Sequence, residues 1–265
     1  MQKYCLSITL LLILWAGAAD AQKTTSSLRI QGDSLISFWG RRVLLSHQGF
    51  PQQITTFFTA DGKDTTGSPT NILAENIHFH FTGLADGKDI RLKSGPIRFT
   101  DRSANSMAWQ VTSSAEGLAM EVTGNLGANG LLQYTVRVTA LQDLDMKEIV
   151  MHIPFEKDAA KYAIGLGLKG EYHPDSLYHW KWNPGITDQP DGAWVGSDDT
   201  GLRYSLLDLP HWINDGKGGI DIGNKGKSML VSNYSGPRKL QKGDVLYFNF
   251  SLKITGGKSA RGLSR

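Results

Sequence analysis

Period-two alternation of apolar and polar residues constrains this chain more than any other feature. Four runs show it, covering residues 77–81, 118–123, 132–139 and 246–253. An alternating run presents one apolar face to a core and one polar face to water. Turn signals separate the runs, and only Glu156 to Ala163 has helical character. The pattern predicts an all-β fold, a large antiparallel two-sheet β-sandwich.

The N-terminus has the three parts of a secretory signal peptide. Lys3 supplies positive charge, the run from Leu6 to Trp15 is apolar, and Ala19-Asp20-Ala21 is an A-x-A cleavage site. We therefore predict a signal peptide over residues 1–21, with Gln22 as the mature start. The alternative, a retained membrane anchor, is disfavoured because the apolar run is too short to span a bilayer. The predicted location is periplasmic or extracellular, with no membrane association after cleavage.

The only cysteine, Cys5, lies inside the predicted signal peptide. The mature chain would then have no disulfide, no thiolate zinc site and no cysteine nucleophile. The apolar core must supply its stability, and residues 22–255 are predicted to form that single β-sandwich domain.

Charge argues against a nucleic-acid partner. The formal net charge is +3, and Lys258, Arg261 and Arg265 account for all of it. A binding face for phosphates would need a basic patch on the folded domain. Residues 256–265 are instead predicted to be a disordered basic tail.

Two short motifs suggest cofactor or metal chemistry but lack its context. Gly165, Gly167 and Gly170 satisfy G-x-G-x-x-G, yet the following residues open no helix to hold a pyrophosphate, so we predict no cofactor. His78 and His80 would point to the same face of a strand and could share a metal. The sequence identifies no third ligand, so a polar surface is the favoured interpretation and we predict no metal site.

An aromatic segment provides the candidate binding residues. Trp180 and Trp182 share a face if the segment is extended, and Trp194 and His173 lie near them in sequence. Indole rings offer a π-face and an N–H donor, which suits the C–H faces of sugars. The prolines of residues 173–192 predict a long loop, which favours an exposed aromatic platform for a carbohydrate or a domain interface. The alternative is that these rings pack in the core.

The ordered motifs of the chain resemble those of glycoside hydrolase family 123-like proteins. The resembling segments are residues 34–54, 71–74, 153–154, 165–170, 180–182, 193–196 and 201–202. The resemblance implies an N-terminal β-supersandwich domain of the galactose-mutarotase-like kind. It also implies a following TIM-type barrel, whose acidic residues act on N-acetylhexosaminides. We expect this chain to lack that catalytic barrel, so the resemblance assigns no catalytic residue to it.

Two functional hypotheses remain open from the sequence. The favoured one is an exported, non-catalytic, carbohydrate-associated β-sandwich module whose partners are a carbohydrate and a TIM-type barrel outside this chain. The alternative is an autonomous carbohydrate-active enzyme of mutarotase or lyase type. It would use a histidine or carboxylate on the concave sandwich face as acid or base, with His173, His179 and Glu171 as candidates. A purely structural or partner-binding role is a third hypothesis.

Overall fold

The computed structural model describes residues 27–59, 65–84, 87–172 and 177–256. The predicted signal peptide at residues 1–21 lies outside these ranges, as do His173 and all of the predicted tail except Gly256. Within them the chain is almost entirely antiparallel β-structure, arranged in three sheets.

The first sheet is a five-stranded meander in which each strand pairs with the next along the chain. Its strands are β1 (Arg29–Gln31), β2 (Leu35–Phe38), β3 (Arg41–Leu45), β4 (Pro51–Thr56) and β5 (Thr70–Asn71). The first three connections are short turns, and each contains a glycine with positive φ: Gly32, Gly40 and Gly49. The sequence predicts two sheets and does not indicate that these five strands form a separate third one.

The second sheet has eleven strands in the described ranges, and its three long central strands, between residues 106 and 140, alternate regularly between buried and more exposed positions. The strands are β7 (Lys93–Ser94), β8 (Arg98–Arg102), β9 (Ser106–Ala115), β10 (Leu118–Gly127), β11 (Leu131–Ala140), β13 (Tyr162–Gly165), β14 (Leu168–Tyr172), β16 (Ala193–Gly196), β17 (Thr200–Leu206), β21 (Val245–Tyr247) and β22 (Phe250–Gly256). Their order is β14-β13-β16-β17-β22-β11-β10-β9-β7. In addition, β21 pairs with β11 and β8 pairs with β9.

The third sheet has six strands in the described part of the chain, drawn from widely separated segments. They are β6 (His78–Gly83), β12 (Leu144–Glu156), β15 (Tyr178–Lys181), β18 (Gly219–Lys225), β19 (Ser228–Tyr234) and β20 (Arg238–Leu240). Their order is β15-β18-β19-β12-β20, and β6 also pairs with β12.

The second and third sheets enclose the main core, as a sandwich requires. Phe79 of β6 lies 5.9 Å from Phe248 between ring centroids and 5.6 Å from Phe50. Tyr134 of β11 stacks on Phe250 of β22 at 4.7 Å. These rings are buried, so the predicted all-β sandwich is confirmed.

Two local predictions are wrong. Residues 156–163 form only a 3-10 turn, Lys157–Ala159, before β13 begins at Tyr162. Residues 173–192 were expected to be loop throughout, but β15 pairs as an edge strand with β18. The partner strand β18 lies about 40 residues further along the chain, so the local sequence does not reveal this pairing. The one described α-helix, α1 (Pro210–Ile213), is a single turn. No described helix has the length and apolarity needed to cross a membrane.

Candidate functional site

One polar side chain from each of five strands lies in a single cross-strand line on the third sheet. The pairing register places His179 opposite Asp221, Asp221 opposite Ser232, Ser232 opposite His152, and His152 opposite His78. We call these five residues the His row. Because side chains alternate between faces, all five project from the face opposite the main core. His179 is exposed and the others are half-buried.

Hydrogen bonds orient the histidines of the His row. The Nδ1 atom of His152 lies 3.0 Å from the Oγ atom of Ser232. The Nδ1 atom of His78 donates to the Asn76 carbonyl at 2.8 Å. Each bond occupies one ring nitrogen and leaves the Nε2 atom of that imidazole available to a ligand.

At one end of the His row, three side chains form an acid-base chain. Asp221 accepts a hydrogen bond from the Nδ1 atom of His179, which in a neutral imidazole leaves the Nε2 atom as the acceptor. The hydroxyl of Tyr234 lies 3.2 Å from that Nε2 atom. Burial raises the pKa of Tyr234 to about 12, and the charges of Asp221 and Glu148 add to the effect. Tyr234 therefore stays protonated at neutral pH and donates to His179.

Glu148 is a second carboxylate on the same face, two positions along β12 from Val150. Its Oε1 atom accepts hydrogen bonds from the backbone N–H groups of Ile149 at 3.0 Å and Gly236 at 2.7 Å. Burial nevertheless raises the pKa of Glu148, and these backbone bonds and the charge of Arg238 only partly oppose that shift. Glu148 is thus held by the backbone and contributes negative potential near Tyr234.

At the other end, three imidazoles gather. The ring of His152 lies 5.1 Å from that of His78 and 6.1 Å from that of His80, between centroids. Burial lowers the pKa of His152 to about 4, and the charges of His78, His80 and Lys225 lower it further. His152 is therefore neutral at pH 7. His80 contacts Asp89 at 2.9 Å through its Nε2 atom.

The sequence identifies no third group beside His78 and His80, and the structure places the imidazole of His152 there. The two histidines of β6 do share a face, as the strand pattern predicts, and β12 brings His152 beside them. Nonetheless, no group of three His, Cys, Asp or Glu side chains in the described ranges has the arrangement of a metal site.

A cleft of about 370 Å³ borders this end of the His row. Polar side chains from three segments line it, among them Gln48, Asn76, His78, Asp89 and Arg91. The face thus combines an open line of polar groups with a cleft at its β6 end, a form that suits an extended polar ligand better than a small enclosed one.

The predicted tryptophan platform is wrong for two of its three rings. Trp182 is 4% exposed and Trp194 is 2% exposed, so neither offers a free ring face. Trp180 is partly buried and packs against the core. Trp180 and Trp182 do share a face, but it is the core-facing one, because Lys181 between them takes the exposed position. The fourth predicted residue, His173, lies outside the described residues.

The burial of Trp194 explains a motif on which the family resemblance rests. A Cβ atom added at Gly196 or Gly201 would lie 2.2 or 2.3 Å from the indole ring of Trp194. The two glycines therefore leave the space that this ring fills. Its Nε1 atom donates to the Oγ1 atom of Thr255 at 3.0 Å. This motif serves packing between strands and contacts no site.

The glycine motif at residues 165–170 forms the turn between β13 and β14. Gly165, Leu166 and Gly167 have φ values of 114°, 54° and 87°, and strand β14 follows at once. A strand offers no helix N-terminus to a pyrophosphate, so the glycines serve the turn.

Sequence reasoning anticipated His179 and His78 individually but missed Asp221, Ser232 and His152 as their companions. Each missed residue occupies a polar position in an alternating strand, which is the one available signal. The line itself depends on pairing between residues up to 80 positions apart in the sequence, which no local pattern encodes.

Comparison with known proteins establishes the family. The family described as "Glycoside hydrolase 123, third domain" matches residues 28–256. The chain belongs to this family. The resemblance stated from the motifs is confirmed, although the family description places the domain third in its parent proteins instead of at the N-terminus. No curated protein matches the chain.

Solved structures agree on the fold. A candidate aldose 1-epimerase from Klebsiella pneumoniae superposes with a TM-score of 0.58 at 11% identity, covering 87% of this chain and 81% of that one. A galactose 1-epimerase from Lactobacillus acidophilus gives a TM-score of 0.50 at 9% identity, covering 87% and 98%. At such identities the likeness establishes the galactose-mutarotase-like sandwich of this glycoside hydrolase 123 domain and nothing about its activity.

Proposed function

We propose that this chain is an exported, non-catalytic carbohydrate-binding module, and that the His row is its binding surface. The observation that carries the proposal is the alignment of five polar side chains across five strands of one sheet face. Four strand spacings of about 4.8 Å give the row a length of about 19 Å. A line of this length offers repeated contacts to a chain of sugar units.

The chemistry of the row suits sugar hydroxyls. A hydroxyl both donates and accepts, and a neutral imidazole does the same with its two nitrogens. His152 is neutral at pH 7, and Ser232 adds a hydroxyl beside it. Tyr234 adds a flat ring next to His179, with centroids 6.0 Å apart. A ring of this kind favours contact with the C–H face of a sugar.

The non-catalytic part of the proposal is supported by the family resemblance, because it assigns the acidic catalytic residues to a barrel. Glycosidases act through a pair of placed carboxylates or through one assisted by the substrate. Export is supported by the predicted signal peptide. The expected partners are a carbohydrate and a TIM-type barrel, with no nucleic acid.

Isothermal titration calorimetry of the mature chain against a panel of neutral oligosaccharides tests this proposal. Asp221→Asn should weaken binding about tenfold, because the substitution releases His179 from its orienting carboxylate. Glu121→Gln is the matched control. Glu121 is also half-buried, and it contacts Arg137 at 3.5 Å on the second sheet. Equal effects of the two substitutions, or binding that neither changes, would refute the His row as the surface.

A second function, proton transfer on a sugar, is favoured by one specific observation: the Asp221–His179–Tyr234 chain. A base that removes a proton from an anomeric hydroxyl, and an acid that protonates the ring oxygen, together open a pyranose ring. His179 would be the base, since Asp221 fixes its tautomer. Tyr234, with a pKa near 12, would be the acid.

Polarimetry with freshly dissolved α-galactose distinguishes the two functions. An autonomous enzyme would accelerate mutarotation over buffer, and both His179→Gln and Tyr234→Phe would abolish the acceleration. The binding-module proposal expects the rate of the buffer alone from the wild-type chain and from both variants.

A further inference from the structure

A second polar line crosses the small first sheet, and it carries positive charge. The register places Arg29 of β1 opposite Ser37 of β2, and Ser37 opposite Arg42 of β3. Two strand spacings place the Cα atoms of the two arginines about 10 Å apart. Both side chains are exposed, whereas the alternate positions Ile36 and Val43 are fully buried.

Arg29, Ser37, Trp39, Arg42 and Phe57 line a cleft of about 470 Å³, which we call the Arg cleft. Aromatic side chains border the cations. The guanidinium carbon of Arg42 lies 4.8 Å from the ring centroid of Phe57. Trp39 is 42% exposed, among the largest apolar exposures in the described residues. A stacked guanidinium is held with its N–H edges free to bind an anion.

Two observations indicate that the Arg cleft can bind an anionic ligand. Among the described residues no carboxylate lies within ion-pair distance of Arg29 or Arg42. Between them, the Oγ atom of Ser37 is buried and hydrogen-bonds to no described protein group. Buried polar atoms normally have partners. An anion lying between the two guanidinium groups would pair with both, and rotation of the Ser37 side chain about χ1 would bring its hydroxyl to the same anion.

Arg41 supports the cleft from the other side of the strand. Its guanidinium donates to the carbonyl oxygens of Trp39 at 3.0 Å and Ile254 at 3.4 Å. It also lies 4.6 Å from the centroid of Phe58. Arg41 therefore holds the turn that carries Trp39, and Trp39 packs on Phe58 with centroids 5.5 Å apart.

We propose that the Arg cleft binds the acidic group of a saccharide, a carboxylate or a sulfate. Arg29 and Arg42 would hold the charge, Ser37 would donate to it, and the sugar ring would lie beside Trp39. The anionic part of the proposal stands on the cleft alone, and the saccharide part rests on the proposed function. Guanidinium groups match carboxylate and sulfate oxygens in geometry as well as charge.

Calorimetry with two pairs of oligosaccharides tests the proposal. One pair is tetragalacturonate and its neutral methyl ester, and the other is sulfated cellotetraose and cellotetraose. We expect the chain to bind at least one acidic member about tenfold more tightly than its neutral partner. The pair that shows the preference identifies carboxylate or sulfate as the group recognised. The preference should weaken as salt is raised, because exposed charges are screened.

Three variants locate the binding. Arg29→Ala and Arg42→Ala should each remove most of the preference for acidic saccharides. Arg98→Ala should leave this preference unchanged, because Arg98 is exposed on β8 of the second sheet. Thermal melting confirms that each variant is folded. The proposal is overturned if neither acidic ligand is preferred, or if the preference survives both substitutions. It is also overturned if inorganic sulfate alone binds as tightly as the acidic saccharides.

The test is independent of the His row. Asp221→Asn should leave the acidic preference intact, even where it weakens the binding of neutral sugars. If the proposed function is wrong, Asp221→Asn will not change the affinity for neutral sugars. If the Arg cleft proposal is wrong, Arg29→Ala and Arg42→Ala will not change the preference for acidic saccharides.

Discussion

Acidification should destabilise this protein, with His152 making the largest contribution. Its ring lies half-buried between those of His78 and His80, and burial followed by these neighbours and Lys225 lowers its pKa to about 4. In the unfolded chain the same group has a pKa of about 6.5. Between these two values the unfolded chain binds a proton that the folded protein does not bind.

The sign and size of the effect follow from this difference. Because the unfolded state binds more protons, the free energy of unfolding falls as the pH falls from about 7 to about 4, and levels off below that. Lowering the pKa from about 6.5 to about 4 corresponds to about 3 kcal/mol at full strength. The ring is partly exposed to solvent, which screens the charge, so we expect about 1 to 2 kcal/mol.

Urea denaturation at several pH values measures this loss, and His152→Gln provides the comparison. The glutamine amide does not titrate and keeps a polar group near Ser232. Other groups titrate in both proteins: His211 has a lowered pKa and adds to the acid loss, whereas Glu148 has a raised pKa and opposes it. The difference between wild type and variant isolates His152. A difference that stays constant between about pH 7.5 and about pH 4.5 would refute the reasoning.

Three further predictions concern stability and processing. Trp182→Ala should lower the free energy of unfolding by about 3 to 5 kcal/mol because its ring is buried, whereas Trp39→Ala, at an exposed ring, should cost far less; urea denaturation compares them. Intact-mass measurement of the exported protein should give a chain that begins at Gln22, and retention of the apolar run in a membrane would contradict the signal peptide. Deleting residues 257–265 should leave the melting temperature nearly unchanged, and a loss of several degrees would mean that the tail packs on the domain.

The sequence predicted the long strands β10 and β11 because their signal is local. β10 and β11 alternate over ten residues each, and nothing outside the strand is needed to read which face is buried. β15 was missed for the opposite reason. It has four residues, prolines lie on both sides of it in the sequence, and it is a strand only because β18 pairs with it.

The candidate site was only partly predictable for a related reason. His78 and His80 could be placed on one face from their spacing alone. Their neighbour His152 could not, because the contact is set by the pairing of β6 with β12. The error at Trp182 has a different cause. A lysine between two tryptophans resembles a surface loop, yet the same alternation is what an edge strand over a core requires.

One group of residues that carries the family resemblance lies on a different sheet from the His row. Trp194, Gly196 and Gly201 belong to the segments that carry the family resemblance, and they form a packed slot on the second sheet. Family membership therefore shows the fold here, whereas the binding surface proposed above consists of residues such as Asp221 that these segments do not include.

This separation makes a last prediction. Trp194→Phe keeps a ring in the slot but removes the hydrogen bond to Thr255, leaving that buried hydroxyl with a weakened set of partners. We expect a loss of about 1 to 3 kcal/mol in unfolding free energy and no change in carbohydrate affinity at temperatures where the variant is folded. Asp221→Asn should show the reverse, with weaker binding and nearly unchanged stability, because Asp221 is half-buried on an open face. Urea denaturation and calorimetry on both variants provide the four measurements. If Trp194→Phe weakened binding as strongly as Asp221→Asn, the slot and the His row would be parts of one site, and packing and binding would not depend on separate residues.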